Sequence, residues 1–223
     1  MFKELVRLWK DSGIMTKAVG SFGSMLEDCA YVFQRSWKVV SGELTVEGEK
    51  DEIHGRDRRV NQKERDIRRL LLEHLTMNPG QDASGCLALM SVVKDAERIG
   101  DYSKNIFDLA LVNNGRIGTL RHQKDIATIQ QRVESNLVTL KGAFVDSDDN
   151  RAREILATYQ ESKEQCNKIL HALFTEDMPK QEALITVLLV RYLKRVNSHV
   201  SNVASAIIYP LDKIDFVRGG LLE

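Results

Sequence analysis

Asp95-Ala96-Glu97-Arg98-Ile99-Gly100-Asp101-Tyr102-Ser103-Lys104-Asn105-Ile106 has a counterpart 97 positions on, Tyr192-Leu193-Lys194-Arg195-Val196-Asn197-Ser198-His199-Val200-Ser201-Asn202-Val203. Arg98 matches Arg195, Asn105 matches Asn202, and Ile99 and Ile106 match Val196 and Val203. The matched apolar pairs fall seven apart, two turns of one helical face. A helical unit is therefore repeated, and the duplication sets the architecture.

Around these stretches apolar residues recur at threes and fours. One stripe is Ala18, Phe22, Met25, Cys29, Val32, Phe33, Val40 and Leu44; another is Ile126, Ile129, Val133, Leu137, Leu140 and Phe144. Such stripes mark amphipathic helices. Turn signals separate them: Gly42, Gly48 to Gly55, Asn78-Pro79-Gly80, Asn113-Asn114-Gly115, Ser147 to Asn150, and Met178-Pro179. Six helices are expected, at 14–47, 54–77, 82–112, 117–146, 150–174 and 180–208, with a short helix at Glu4 to Lys10. No run alternates with period two, so no sheet is expected. Short turns make neighbouring helices antiparallel. The fold class is all-α: two tandem antiparallel three-helix bundles, residues 1–115 and 116–223.

Composition agrees. Lys plus Arg is 32 and Asp plus Glu is 32, a zero net charge that argues against a general nucleic-acid binder. Apolar residues at 43% with only 3 prolines describe a folded chain. The longest tight apolar run, Ala183 to Val190, is too short to span a membrane, and the start of the chain lacks a secretory h-region. Cys29, Cys86 and Cys166, odd in number and far apart, read as buried thiols in a reducing, cytoplasmic setting.

Chemistry concentrates on two strips. Glu97 and Asp101 lie at i and i+4, with Asp108 on the same face. Asp57, Asn61 and Glu64 form a second oxygen-rich line about 50° from the apolar line Val60, Ile67, Leu71. Both border the core, so they can face each other across a groove between helices. Like charges at this spacing repel, and burial would make them costly unless offset. Convergent carboxylate oxygens suit hard cations and iron; pairing to Arg58, Arg65, Arg68 or Arg98 would serve instead.

Other chemistry has little support. A ferritin-type di-iron site needs Glu-x-x-His on two helices, and the nearest run is Asp51-Glu52-Ile53-His54. There is no Gly-x-Ser-x-Gly, Cys-x-x-Cys or phosphate-cradling glycine loop. His74, His122 and His171 read as ordinary polar or half-buried residues, and His199, opposite Tyr102 in the repeat, as structural. Arg56 to Arg69 carries seven basic residues against three acids and reads as a solvated face. Of Trp9, Trp37, Tyr31 and Phe33, candidate partner anchors, Phe33 falls in the core stripe.

The run Asp95 to Asp101, followed by Asn105-Ile106, resembles the signature of the PhoU family, Asp-Leu-Glu-Arg-Ile-Gly-Asp and then Asn-Ile. The strip Asp57, Asn61, Glu64 and the turn from Pro79 to Asp82 resemble that family's first repeat, as do the length, helix count and duplication. The resemblance implies a non-catalytic, metal-binding regulator of phosphate uptake and phosphate-responsive signalling. Its partners would be a phosphate ABC transporter ATPase, a sensor kinase or both, without nucleic acid and outside the membrane, with a homodimer allowed. The implied cofactor is a divalent or ferric ion (Fe, Mn, Mg, Zn or Ca), held by Glu97 and Asp101 and, less directly, by Asp57, Asn61 and Glu64.

The second repeat departs from the pattern: Lys194 and Ser198 stand where Glu and Asp are expected, so its metal site is expected to be lost. Glu154 and Glu161 match Asp57 and Glu64 if nothing is inserted, and Lys194 is then expected to pair with Glu161. Ala83 and Ser84 replace an expected Arg after Asp82. Two alternatives stay open, an accessory domain of a sodium–phosphate transporter (a metal-free bundle whose Glu97 and Asp101 bond Arg or Lys) and a carboxylate-metal enzyme.

Overall fold

The computed structural model describes residues 13–80, 82–113, 117 and 119–214. Six long helices account for most of them: α1 (Gly13–Val40), α2 (Val46–Met77), α3 (Ala83–Val112), α4 (Gln123–Val145), α5 (Asp149–Ala172) and α6 (Lys180–Ile208). A 3-10 turn (Leu211–Lys213) follows, and no strand occurs among the described residues. The expected N-terminal helix and Trp9 lie outside them.

α1, α2 and α3 pack on one another, as do α4, α5 and α6. The two groups join along α1–α4 and along α3–α6. α3 and α6 run antiparallel, since Asp95 meets Asn202 while Tyr102 meets Tyr192. The 115/116 division falls between α3 and α4, where residues 114–116 lie outside the described set. One apolar core runs through all six helices. Phe22 of α1 and Phe144 of α4 meet at 4.5 Å between ring centroids, joining the two groups. Gly100 admits Val60, whose Cγ1 would lie 3.2 Å from an added Cβ.

The first turn sits earlier than expected. α1 ends at Val40, not at 47, and α2 starts at Val46, not at 54. Gly42, at φ 84°, donates its N–H to the Val39 carbonyl, while the amides of Glu43 and Leu44 close on Lys38. Such bonds satisfy the carbonyls orphaned at a helix end. Thr45 then caps α2, its hydroxyl accepting from the Gly48 amide at 3.2 Å. Gly48 and Gly55 lie inside α2; a helical glycine costs about 1 kcal/mol relative to alanine, and burial of Val46, Ile53 and Val60 offsets it. α4 likewise begins at Gln123 rather than 117. The other turns follow the expected chemistry. Gly80 has φ 81°, and Asp148 caps α5 by accepting the amides of Asn150 and Arg151.

Candidate functional site

α2 and α3 turn their acidic strips toward each other. Glu64 and Glu97 are each only 8% exposed, at facing positions of the groove. The Lys94 ammonium bridges them, 2.7 Å from Glu97 Oε2 and 3.6 Å from Glu64 Oε1. Arg68 approaches Glu64 Oε1 at 3.1 Å, and Arg98 approaches Glu97 Oε2 at 3.6 Å. These are ion pairs without hydrogen-bond alignment, and both oxygens are buried with no hydrogen-bond donor. The repulsion between these carboxylates is offset by basic side chains: Arg68 and Arg98, both among the arginines expected from the sequence, and Lys94, which was not. Its signal was present, because Lys94 and Glu97 are at i and i+3 on one helix.

The other candidates are more scattered. Asp57 is buried and binds Lys104 Nζ at 3.2 Å. Asp101 turns to Arg98 Nη1 at 3.0 Å. Asn61 is half-buried on α2 between Asp57 and Glu64. Asp108 is pushed above the ordinary carboxylate range by burial, with Lys104 and His54 opposing and Asp57 adding to the rise. Among the described residues, no three Asp, Glu, His or Cys side chains converge as a metal cage. Glu64 Oε1 and Glu97 Oε2 are instead held by ion pairs to Lys94, Arg68 and Arg98.

The basic stretch on α2 is less solvated than expected. Asp28 of α1 gathers Arg56 at 2.7 Å and Lys63 at 2.7 Å, and Arg56 lies 4.0 Å from the Tyr31 ring. These residues stitch α1 to α2, whereas Arg58 and Arg65 are exposed. Phe33 is core and Trp37 packs against it.

The second repeat corrects one expectation. Lys194 donates to Asn167 Oδ1 at 2.6 Å, and Glu161 pairs with Arg132 at 3.2 Å instead. The reason is register. Lys194, at the Glu97 position, faces Asn167 and Cys166 of α5, which lie 102–103 residues on from Glu64 instead of 97. Cys166 and Asn167 therefore stand opposite Lys194 as Glu64 stands opposite Glu97, while Glu154 and Glu161 are exposed. Burial pushes the Cys166 thiol up to about 12, and the nearby Lys194 ammonium lowers it in part.

Where the halves meet, Asp95 is only 7% exposed and accepts from His199 Nδ1 at 2.7 Å and from Asn202 Nδ2 at 2.8 Å. The Tyr102 ring stacks on His199 with centroids 5.8 Å apart and also meets Tyr192 at 6.2 Å. Because Tyr102 corresponds to His199 and Asp95 to Tyr192, the 95–199 contact and the 192–102 contact are one pair repeated across the duplication. Sequence reading placed His199 opposite Tyr102 and gave Asp95 no role.

Residues 44–110 match the model of the PhoU domain. The fold of the whole chain is similar to that of the phosphate transport system regulatory protein PhoU from Streptococcus pneumoniae, with TM-score 0.72 and 17% identity over 93% of this chain and 97% of that one. It is also similar to PhoU from Pseudomonas aeruginosa, with TM-score 0.68 and 19% identity over 96% of this chain and 99% of that one. Comparison with curated proteins gives no match. The fold is that of the tandem three-helix bundles of PhoU.

Proposed function

We propose that this chain, which carries the PhoU-domain match and folds along its length as PhoU proteins do, is a cytoplasmic, non-catalytic regulator of phosphate transport. The carrying observation is that the matched region, residues 44–110, holds the acidic groove and the run Asp95 to Asp101. No helix among the described residues is long and apolar enough to cross a membrane, in keeping with a role beside a transporter. As an adaptor it would bind the ATPase of a phosphate ABC transporter, a sensor kinase or both.

In this reading the groove holds a metal ion through Glu64 and Glu97, with Asp57, Asn61 and Asp101 along the same face. A bound ion there would cross-brace α2 and α3 by charge. The carboxylates fix its place, and Lys104 and Arg98 hold Asp57 and Asp101. An enzymatic role has less support, because basic side chains neutralise the carboxylates that would act as general bases.

The test is a two-hybrid or co-purification assay against the ATPase and the phosphate-responsive kinase of the host. Binding to either supports the adaptor. Binding to neither, with phosphate-responsive expression unchanged on deletion, refutes it. Elemental analysis of protein purified without chelator, beside Glu64→Gln/Glu97→Gln and Glu97→Gln/Asp101→Asn, tests the ion: metal in the parent and loss in both variants is expected.

A further inference from the structure

α6 keeps the basic positions of α3 and loses the acidic ones. Lys94, Glu97, Arg98 and Asp101 have Arg191, Lys194, Arg195 and Ser198 as their counterparts 97 residues on. In the first half Lys94 pairs with Glu97 at 2.7 Å and Arg98 with Asp101 at 3.0 Å, so two cations balance two carboxylates. In the second half three cations share one helical face, and among the described residues none has a carboxylate partner. Lys194 donates to the neutral Asn167 side chain at 2.6 Å. Arg195 lies 5.7 Å from the centroid of the Tyr102 ring, with Nε donating to the hydroxyl at 3.3 Å, and Arg191 is exposed. We infer that the groove between α5 and α6 binds a phosphate dianion, with Lys194 at its centre and Arg191 and Arg195 beside it. The inference stands on the charges of this groove and not on the regulator reading, so either can fail without the other.

The α5 side of the groove adds donors. Gln160, Lys163 and Asn167 fall at i, i+3 and i+7, on one face of that helix. Gln160 Nε2 is buried with no hydrogen-bond partner, and the Lys163 ammonium lies 5.6 Å from the centroid of the Tyr159 ring. The acids of α5 leave this charge uncompensated: Glu161 pairs with Arg132 at 3.2 Å, and Glu154 and Glu164 are exposed and pair with none of the three α6 cations. An exposed cation is held by water, but Lys194 is half-buried, where lost hydration has to be replaced by a counter-charge. A small oxyanion supplies it. Ammonium, guanidinium and amide donors from two helices suit the four oxygens of a tetrahedral dianion better than the two of a planar carboxylate. The duplication has thus kept the groove and inverted the sign of its charge.

The test is isothermal titration of the purified full chain with inorganic phosphate above neutral pH. A short phosphoserine peptide and acetate are titrated in parallel, and circular dichroism confirms folding of each variant. Saturable phosphate binding is expected, weakening as salt is added. Lys194→Gln should lower the affinity by about tenfold or more, the ratio that loss of one charge-assisted contact gives. Arg191→Gln should produce a smaller loss, and Lys194→Arg, which keeps the charge, should retain most of the binding. Lys124→Gln, a change at an exposed lysine of α4, should bind as the parent does. Binding of the phosphoserine peptide alone, with the same dependence on Lys194, supports the phosphoryl chemistry and assigns its source to a phosphorylated partner. Equal affinity in parent and Lys194→Gln overturns the inference, as does acetate binding as tightly as phosphate. Absence of binding by both phosphate and the phosphopeptide at millimolar concentration overturns it as well.

Discussion

Removing the Asp95 carboxylate takes away the acceptor shared by two donors from the other half. In Asp95→Ala, His199 Nδ1 and Asn202 Nδ2 lose bonds of 2.7 and 2.8 Å at a position 7% exposed. Hydrogen bonds to a charged acceptor are worth about 1.5–3 kcal/mol each, and a buried donor left unpaired costs about 1–3 kcal/mol. The imidazole, 17% exposed, can recover water on one side, which discounts its share. The expected loss is about 2–4 kcal/mol. For a chain of this size each kcal/mol moves the midpoint by roughly 2–4 °C, so Tm should fall by about 4–16 °C. Calorimetry and urea unfolding measure it. Asp95→Ala, His199→Ala and the double variant form a cycle, with a coupling of about 1–3 kcal/mol expected for partners in one network. Unfolding should stay a single transition, because the apolar core runs through both halves. A loss below about 0.5 kcal/mol, or a cycle that closes additively, would show that Asp95 does not tie the halves and would refute the reasoning.

Three further outcomes follow from the packing and charges. Gly100→Ala brings a Cβ to 3.2 Å from Val60 Cγ1 and 3.8 Å from Cys29 Sγ; overpacking of this kind costs about 1–3 kcal/mol, and a stabilised variant in urea titration would contradict the close approach. Asp108 has its pKa raised in the folded state, so its contribution is fully present below the unfolded pKa and lost as pH rises through the folded one. Asp108→Asn should therefore raise Tm at pH 7 and lose that advantage as pH falls through the folded pKa; melting curves across pH check the sign. Burial pushes the thiols up, to about 11 for Cys86 and about 12 for Cys166, with Cys29 higher still. All three should resist a disulfide reagent at pH 8 in the native protein and react in urea, and prompt labelling without urea would contradict their burial.

The duplicated helix was legible because its matched residues keep one face: Ile99 with Ile106 and Val196 with Val203 all enter the core. The first turn was not. Gly48 and Gly55 read as breakers, whereas the decisive signals were Gly42 in the left-handed region and Thr45 as cap. The strips on α2 and α3 were placed correctly on the core side, since amphipathic phase reports which face is buried. Two of the four candidate arginines, Arg68 and Arg98, do pair with the strips, whereas Lys94 was not legible because its contact with Glu64 depends on helix crossing. Glu161 was misassigned for a related reason. The 97-residue spacing holds between α3 and α6, yet Lys194 meets Asn167 and Cys166 on α5, a shift that only the packed contacts expose.

The proposed regulation of phosphate transport is tested most directly by measuring phosphate uptake and a phosphate-responsive reporter in the host, with the gene intact, deleted and restored. The account predicts that deletion leaves uptake and reporter expression high when phosphate is plentiful, and that restoration returns both to the low state. Unchanged uptake and reporter expression in the deletion strain would contradict it.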